Sequence, residues 1–242
     1  MSVFSCGVQG GGGGLSPPVA LTSFESDSAS FANNINVLYD ASGSNRLLVA
    51  IVGVRDASVA STSSVTFNGV SGTIAESGAT DAGVATSSVL VYWLDSELPS
   101  SNGTYAIDHN FSGTPDEGFS ACWMFENVNQ TTPLSFSDVL VGTQWLSGTS
   151  KSITNTANEG HFAGSGIIYN DDDSGYTINQ NTIPTGLTER YDVIHPDQNR
   201  FAHNGADTDA KSSNSDTYTW TNNSGKGYDS WQVYSFAINP LS

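Results

Sequence analysis

From Val19 onward, short apolar runs alternate with clusters of Gly, Asn, Asp and Ser, and this punctuation limits the folds open to the chain. Runs so brief fit strands joined by tight turns better than core helices. Several keep a period of two. In Thr104-Tyr105-Ala106-Ile107-Asp108-His109-Asn110-Phe111, the apolar side chains and His109 share one side, while Asp108 and Asn110 take the other. Thr217-Tyr218-Thr219-Trp220-Thr221 sets aromatic residues inward and threonines outward in the same way. Ser63-Ser64-Val65-Thr66-Phe67 runs into Asn68-Gly69, a pair suited to a type I′ turn, and predicts a hairpin with a strand near Ile74. Lys, Glu and Arg are scarce while Ser, Thr, Asn and Gly abound, which excludes a helical bundle. The predicted fold is all-β: a single antiparallel β-sandwich, jelly-roll-like, over residues 19–242.

Two runs do not alternate. Leu47-Leu48-Val49-Ala50-Ile51-Val52 and Val89-Leu90-Val91-Tyr92-Trp93-Leu94 are apolar on both faces and need cover on both. A long overlying loop would supply it, and so would a neighbouring subunit. Because one sandwich core cannot absorb this surplus, the sequence predicts a closed homo-oligomer, with a trimer favoured.

Residues 1–18 differ from all that follows. Gly10, Gly11, Gly12, Gly13 and Gly14 read as a flexible tether, and Pro17-Pro18 stiffens its exit into the folded part. Fully extended, the arm reaches at most about 60 Å, enough to cross onto a neighbour. Near its tip Val3, Phe4 and Val8 offer small apolar anchors, and bare glycine backbone can pair with a partner's strand edge.

With 24 acidic against 7 basic side chains the formal charge is −17, which repels phosphate backbones and anionic lipid heads alike, so neither nucleic acid nor a membrane is an expected partner. The opening Met1-Ser2-Val3-Phe4-Ser5-Cys6 has no basic n-region, and no apolar stretch is long enough to span a bilayer. A protein of extracellular composition without an export signal is expected where particles form in a host cytoplasm and leave by lysis. Cys6 and Cys122 are too few for a disulfide framework, and Cys122 lies in the apolar run Phe119 to Phe125, where a buried thiol is expected.

The order Asn45-Arg46-Leu47-Leu48-Val49-Ala50, Ser64 to Val70, Val89 to Leu94, Pro99 with Gly103-Thr104-Tyr105, Asn127-Val128-Asn129-Gln130-Thr131-Thr132-Pro133 and the closing Trp231 to Ile238 resembles a β-sandwich module of phage virion structural proteins and bacterial surface proteins. The resemblance spans residues 35 to 240. It implies a display or adhesion domain located in the virion, with no family catalytic residues to carry over. A single copy with its own Gly-rich arm points to a capsid decoration (cement) or head-fibre subunit, with capsid or other virion proteins as partners.

Few constellations promise chemistry. Asp171, Asp172 and Asp173 gather three carboxylates in one loop and form the candidate calcium site, although they lack the alternating spacing of a dedicated calcium loop. Asp207 and Asp209, with Asn204 and Gly205, read as a second polar loop. His109, His161, His195 and His203 lie in separate segments without metal-site spacing, and no serine sits in a G-x-S-x-G elbow. No catalytic residue and no cofactor is expected. Tyr169, Tyr176, Tyr191 and Tyr228 lie near loops, where exposed rings would stack on sugars. A receptor- or glycan-binding surface module is therefore the alternative function, and a glycan-degrading sandwich enzyme the third.

Overall fold

The structure is a computed structural model describing residues 18–30, 34–56, 62–81, 85–111, 117–170, 181–194, 201–223 and 227–241. Sixteen strands follow in order: β1 (Ala20–Ser30), β2 (Asn34–Tyr39), β3 (Leu47–Asp56), β4 (Thr62–Phe67), β5 (Val70–Ser71), β6 (Thr73–Asp81), β7 (Ala85–Leu94), β8 (Gly103–Phe111), β9 (Glu117–Glu126), β10 (Leu134–Trp145), β11 (Ser150–Asn155), β12 (Ala163–Asn170), β13 (Thr188–Ile194), β14 (Phe201–Thr208), β15 (Asp216–Thr221) and β16 (Tyr228–Ile238). One 3₁₀ turn, Asp95–Glu97, is the sole helical element among the described residues. The protein is an all-β antiparallel sandwich, as its punctuation predicts.

Four sheets stack in sequence. Sheet I has the order β2-β8-β4-β5, sheet II β1-β9-β3-β7-β6, sheet III β10-β16-β12-β14-β13 and sheet IV β11-β15. Three apolar layers separate them. Val37, Phe67 and Ile107 of sheet I meet Leu48, Val91 and Trp93 of sheet II. Val49, Ile51 and Trp123 of sheet II meet Ile168, Tyr234 and Phe236 of sheet III. Ile167, Val233 and Ala237 of sheet III meet Ile153, Tyr218 and Trp220 of sheet IV.

This stacking accounts for the two doubly apolar runs. On β3, alternate residues Leu47, Val49 and Ile51 face sheet III while Leu48, Ala50 and Val52 face sheet I, and all six are at most 1% exposed. Neither an overlying loop nor a neighbouring subunit covers them. The cover is two further sheets of the same chain, so these strands supply no reason for an oligomer. The Asn68-Gly69 turn forms as expected, with φ of 51° and 78°, the left-handed pair a type I′ turn requires. Its return strand is β5, whereas Ile74 belongs to β6 in the next sheet.

The chain contains its own repeat. Sheets I and II come from residues 20–126 and sheets III and IV from residues 134–238. Substituting β10, β16, β12, β14 and β13 for β1, β9, β3, β7 and β6 converts the order of sheet II into that of sheet III. β11-β15 likewise answers to β2-β8, and the Thr182–Thr221 bridge stands where β4 pairs with β8. Equivalent elements also meet: β10 packs beside β6, and β1 beside β13. The halves are thus related by a pseudo-twofold axis along the strands, with their five-stranded sheets face to face.

Both faces of β3 being core, Leu48→Ala and Ile51→Ala should each lower stability by about 2–5 kcal/mol in urea unfolding. The midpoints should not depend on protein concentration; a dependence confined to Leu48→Ala would place a subunit interface on that face.

Candidate functional site

The strands give the molecule two unlike poles. At one, Pro18 enters β1 and the last described residues leave β16, bound together: Asn127 Nδ2 donates to the Pro18 carbonyl (3.2 Å), Leu241 N to Asn127 O (2.9 Å), and Val128 bridges Pro240. At the other pole lie the strand ends flanking 31–33, 57–61, 82–84, 112–116, 171–180, 195–200 and 224–226, these segments themselves being outside the described residues. Asp171, Asp172, Asp173, Tyr176 and His195 thus lie outside the described residues. The arm residues Val3, Phe4, Val8, Gly10, Gly11, Gly12, Gly13 and Gly14 also lie outside the described residues.

The first pole is locked by polar side chains that the sequence presents only as scattered motifs. Arg46 Nε pairs with Asp95 Oδ1 at 2.6 Å, and its Nη1 donates to Tyr39 OH, Ala41 O and Pro99 O. Asp95 Oδ2 accepts from Asn45 N, while Gln130 accepts from Asp95 N and donates to Arg46 O and Val128 O. The residues that carry the resemblance at Asn45-Arg46, Pro99 and Asn127 to Pro133 therefore form one hydrogen-bonded cap. Beside it a cavity of about 300 Å³ is lined by Pro18, Val19, His161, Phe162, Asp209 and Leu241 among others. His161 Nδ1 lies 2.8 Å from Ser135 Oγ, and burial with the Lys211 charge lowers its pKa.

Elsewhere, most of the side chains that the sequence offers as candidates turn inward. Asp207 is not in a loop: β14 is flanked by β12 and β13, and the carboxylate is fully buried, accepting from Trp123 Nε1 (2.9 Å) and Arg190 Nε (2.7 Å). Asn204 and Gly205 share that strand, and Asp209 is exposed in the bend after it. Tyr169, Tyr191 and Tyr228 are core residues, so none offers a ring to a sugar. Their closeness to chain turns says nothing about which way they point. His109 packs on the apolar face of β8 and burial drives its pKa down to about 3, so it stays neutral. His203 stacks on Phe119 at 3.9 Å. Cys122 is buried, its thiol pushed up to about 12 and therefore unreactive. Among the described residues no three His, Cys, Asp or Glu side chains group as metal ligands.

The interior polar side chains cluster toward the second pole, between sheets II and III. Arg55 Nε donates to Asn170 Oδ1 (2.9 Å) and stands opposite Glu117 in the β3–β9 register. Thr86 pairs with Ser230 (3.1 Å), and Ser88 bonds both Gln232 and Tyr234. One carboxyl is out of balance. Burial, then the charge of Glu189, raises Asp192 to about 6, and the neighbouring Asn204 amide offsets only part of this. No protein-family model matches the chain, and no curated protein is close enough to count as a relative.

Two measurements probe this arrangement. Arg46→Ala strands an aspartate, a tyrosine hydroxyl and two carbonyls in a partly buried cap, and should cost about 2–4 kcal/mol in chemical denaturation. Asp192, raised from 3.8 to about 6, loses its proton later in the folded protein than in the unfolded chain. Stability should therefore fall as pH rises from about 4 to about 6 and level off above. Asp192→Asn should flatten that segment of the profile and be the more stable protein at neutral pH.

Proposed function

We propose that the chain is a phage virion structural protein, a capsid decoration or head-fibre subunit held to its particle through residues 1–18. The observation that carries this reading is the polarity of the molecule. Pro18, where the arm joins the fold, is hydrogen-bonded into the rigid pole built by Arg46, Asp95 and Gln130. At the far pole the ends of β3, β12 and β13 lie beside the starts of β7, β9 and β14, and that pole is free to face outward. A slab of four sheets whose apolar strands are consumed internally suits a part that must stay folded while exposed. The role is binding and assembly, without catalysis.

Capsid or other virion proteins are the partners this role requires. Self-association, if trimeric, would have to use smaller exposed apolar side chains such as Leu38, Leu140, Val141 and Leu146. Calcium at Asp171, Asp172 and Asp173 stays a proposal of the sequence, and the receptor- or glycan-binding alternative loses three of its four tyrosine platforms to the core.

Mass spectrometry of density-purified particles, produced from the genome that encodes the chain, should find it among the virion proteins. Deleting residues 1–17 should leave a folded protein that no longer co-sediments with particles. Absence of the full chain from particles would overturn the virion reading, and undiminished co-sedimentation of the shortened chain would overturn the anchoring role.

A further inference from the structure

A second cavity, of about 240 Å³, opens where sheet IV meets the end of β14, at the same end of the molecule as the arm pole's pocket but lined by other side chains. Its wall is more polar than apolar and includes Thr185, Thr208, Ser212, Asp216, Thr217 and Tyr218. Tyr218 is 3% exposed, yet its hydroxyl has no hydrogen-bond partner. A buried hydroxyl left without a partner costs about 1–3 kcal/mol, so something that hydrogen-bonds belongs beside it.

The internal repeat supplies a control. Thr104-Tyr105 occupies the second and third positions of β8, and Thr217-Tyr218 the same positions of β15. In the first half the Tyr105 hydroxyl donates to Ser101 O and contacts Ser101 Oγ, both at 3.0 Å. In the second half the equivalent tyrosine, Tyr218, has no such partner and lines a cavity. Burial and then the Asp216 charge raise the Tyr218 pKa, so the phenol remains a hydrogen-bond donor at any ordinary pH.

Charge at the site is already spoken for. Asp216 accepts from Ser212 N, Ser212 Oγ and Ser213 Oγ, and Lys211 Nζ stands 3.9 Å away. Although burial opposes it, bonds from Ser213 and Ser212 hold the Asp216 pKa below its usual value. Lys211 Nζ in turn donates to Asn155 O and Oδ1. A cation finds a carboxylate that is already satisfied, and an anion meets its charge. A neutral occupant rich in hydroxyls meets neither obstacle.

The approach to the cavity has the same chemistry. On the exposed face of sheet IV three hydroxyl pairs cross from β11 to β15: Ser150 with Thr221 (2.8 Å), Ser152 with Thr219 (2.8 Å) and Thr154 with Thr217 (3.1 Å). Thr217, the last rung, also lines the cavity. Each pair uses one of its two O–H donors and leaves the other, with spare lone pairs, to a ligand.

We propose that this cavity is a subsite for one ring of a neutral glycan, whose chain continues over the hydroxyl ladder of sheet IV. Without an exposed aromatic ring to stack on, the interaction is weak, with Kd of about 1 mM for the best oligosaccharide. The site shares no lining residue with the arm pole's pocket and is tested on the isolated chain, so the inference fails or holds independently of the virion reading.

Amide NMR of the full chain, titrated with glucose, galactose, N-acetylglucosamine and their short oligomers, tests it. Shifts should concentrate at Gly186, Ala210, Ser212 and Thr217. Tyr218→Phe removes only a hydroxyl that bonds nothing in the protein, so it should fold as well as the parent and bind about tenfold more weakly. Thr217→Val, of equal shape, should weaken oligosaccharides more than single sugars. The proposal is overturned if no sugar shifts these amides, which would leave the cavity to water, or if both variants bind as the parent does.

Discussion

The central strands of sheets II and III have no face left for water, and that constraint reaches into every other part of the molecule. A strand buried on both sides is stable only if each side chain on it is apolar or finds a partner across the layer. Leu47 to Val52 meets the first condition outright. Where β3 leaves the apolar zone, Arg55 meets the second through Asn170 on the opposing sheet, and Thr86 with Ser230 and Ser88 with Gln232 do so one strand further on. The facing sheets are therefore tied by directional bonds along their length, from Thr86 with Ser230 at one end to Trp123 with Asp207 toward the other, and by aromatic packing such as Phe125 on Phe162 at 4.7 Å. Packing alone tolerates a slide between layers; the bonds fix the register.

The repeated strand order accounts for the two inner sheets of the chain. A two-sheet unit of residues 20–126 has one five-stranded sheet with an apolar outer face, which needs a second such sheet to cover it. The second unit is that cover. Gly166 shows how closely the surfaces fit: a Cβ on this residue of sheet III would run into the Ile51 side chain of sheet II. The halves differ most in their outer layers, four strands against two, because the outer layer carries no obligation to the shared core.

Strand periodicity in the sequence is enough for the class of fold, and for strands such as β8 and β15, because alternation is a local property. It also marks β3 and β7 as buried on both faces. It cannot say what buries them, since Val37, Phe67 and Ile107 lie far away in sequence and carry no mark of their target. The repeat is legible only as a trace, in Thr104-Tyr105 and Thr217-Tyr218, because strand order can be kept while side chains drift. Asn204-Gly205 with Asp207 has the composition of a turn, but pairing on both edges makes it an inner strand, in which the buried Asp207 accepts through Oδ2 from Trp123 and Arg190. The cap of Arg46, Asp95 and Gln130 is visible in the sequence as a motif without a reason, since its members converge from three separate connections.

Among the described residues, the few cations of this acidic chain are held in contacts within the fold. Arg46 is bound into the cap, Arg55 into the layer between sheets II and III, Arg190 onto Asp207 and Lys211 onto Asn155, while Lys151 lies over the ring of Trp231 at 4.4 Å. Structural duty thus falls on nearly every basic side chain among the described residues, and the outward-facing charge is carboxylate. Two surfaces of this kind repel one another at low salt and approach only as screening shortens the range of that repulsion to about 10 Å near 0.1 M. A partner that docks readily must be neutral or bring positive charge of its own. A basic patch on a particle would attract the subunit from a distance and weaken with salt, whereas a neutral polymer would be indifferent to salt and depend on hydroxyl contacts alone. The salt dependence of any association therefore separates the two classes of partner before either has been identified.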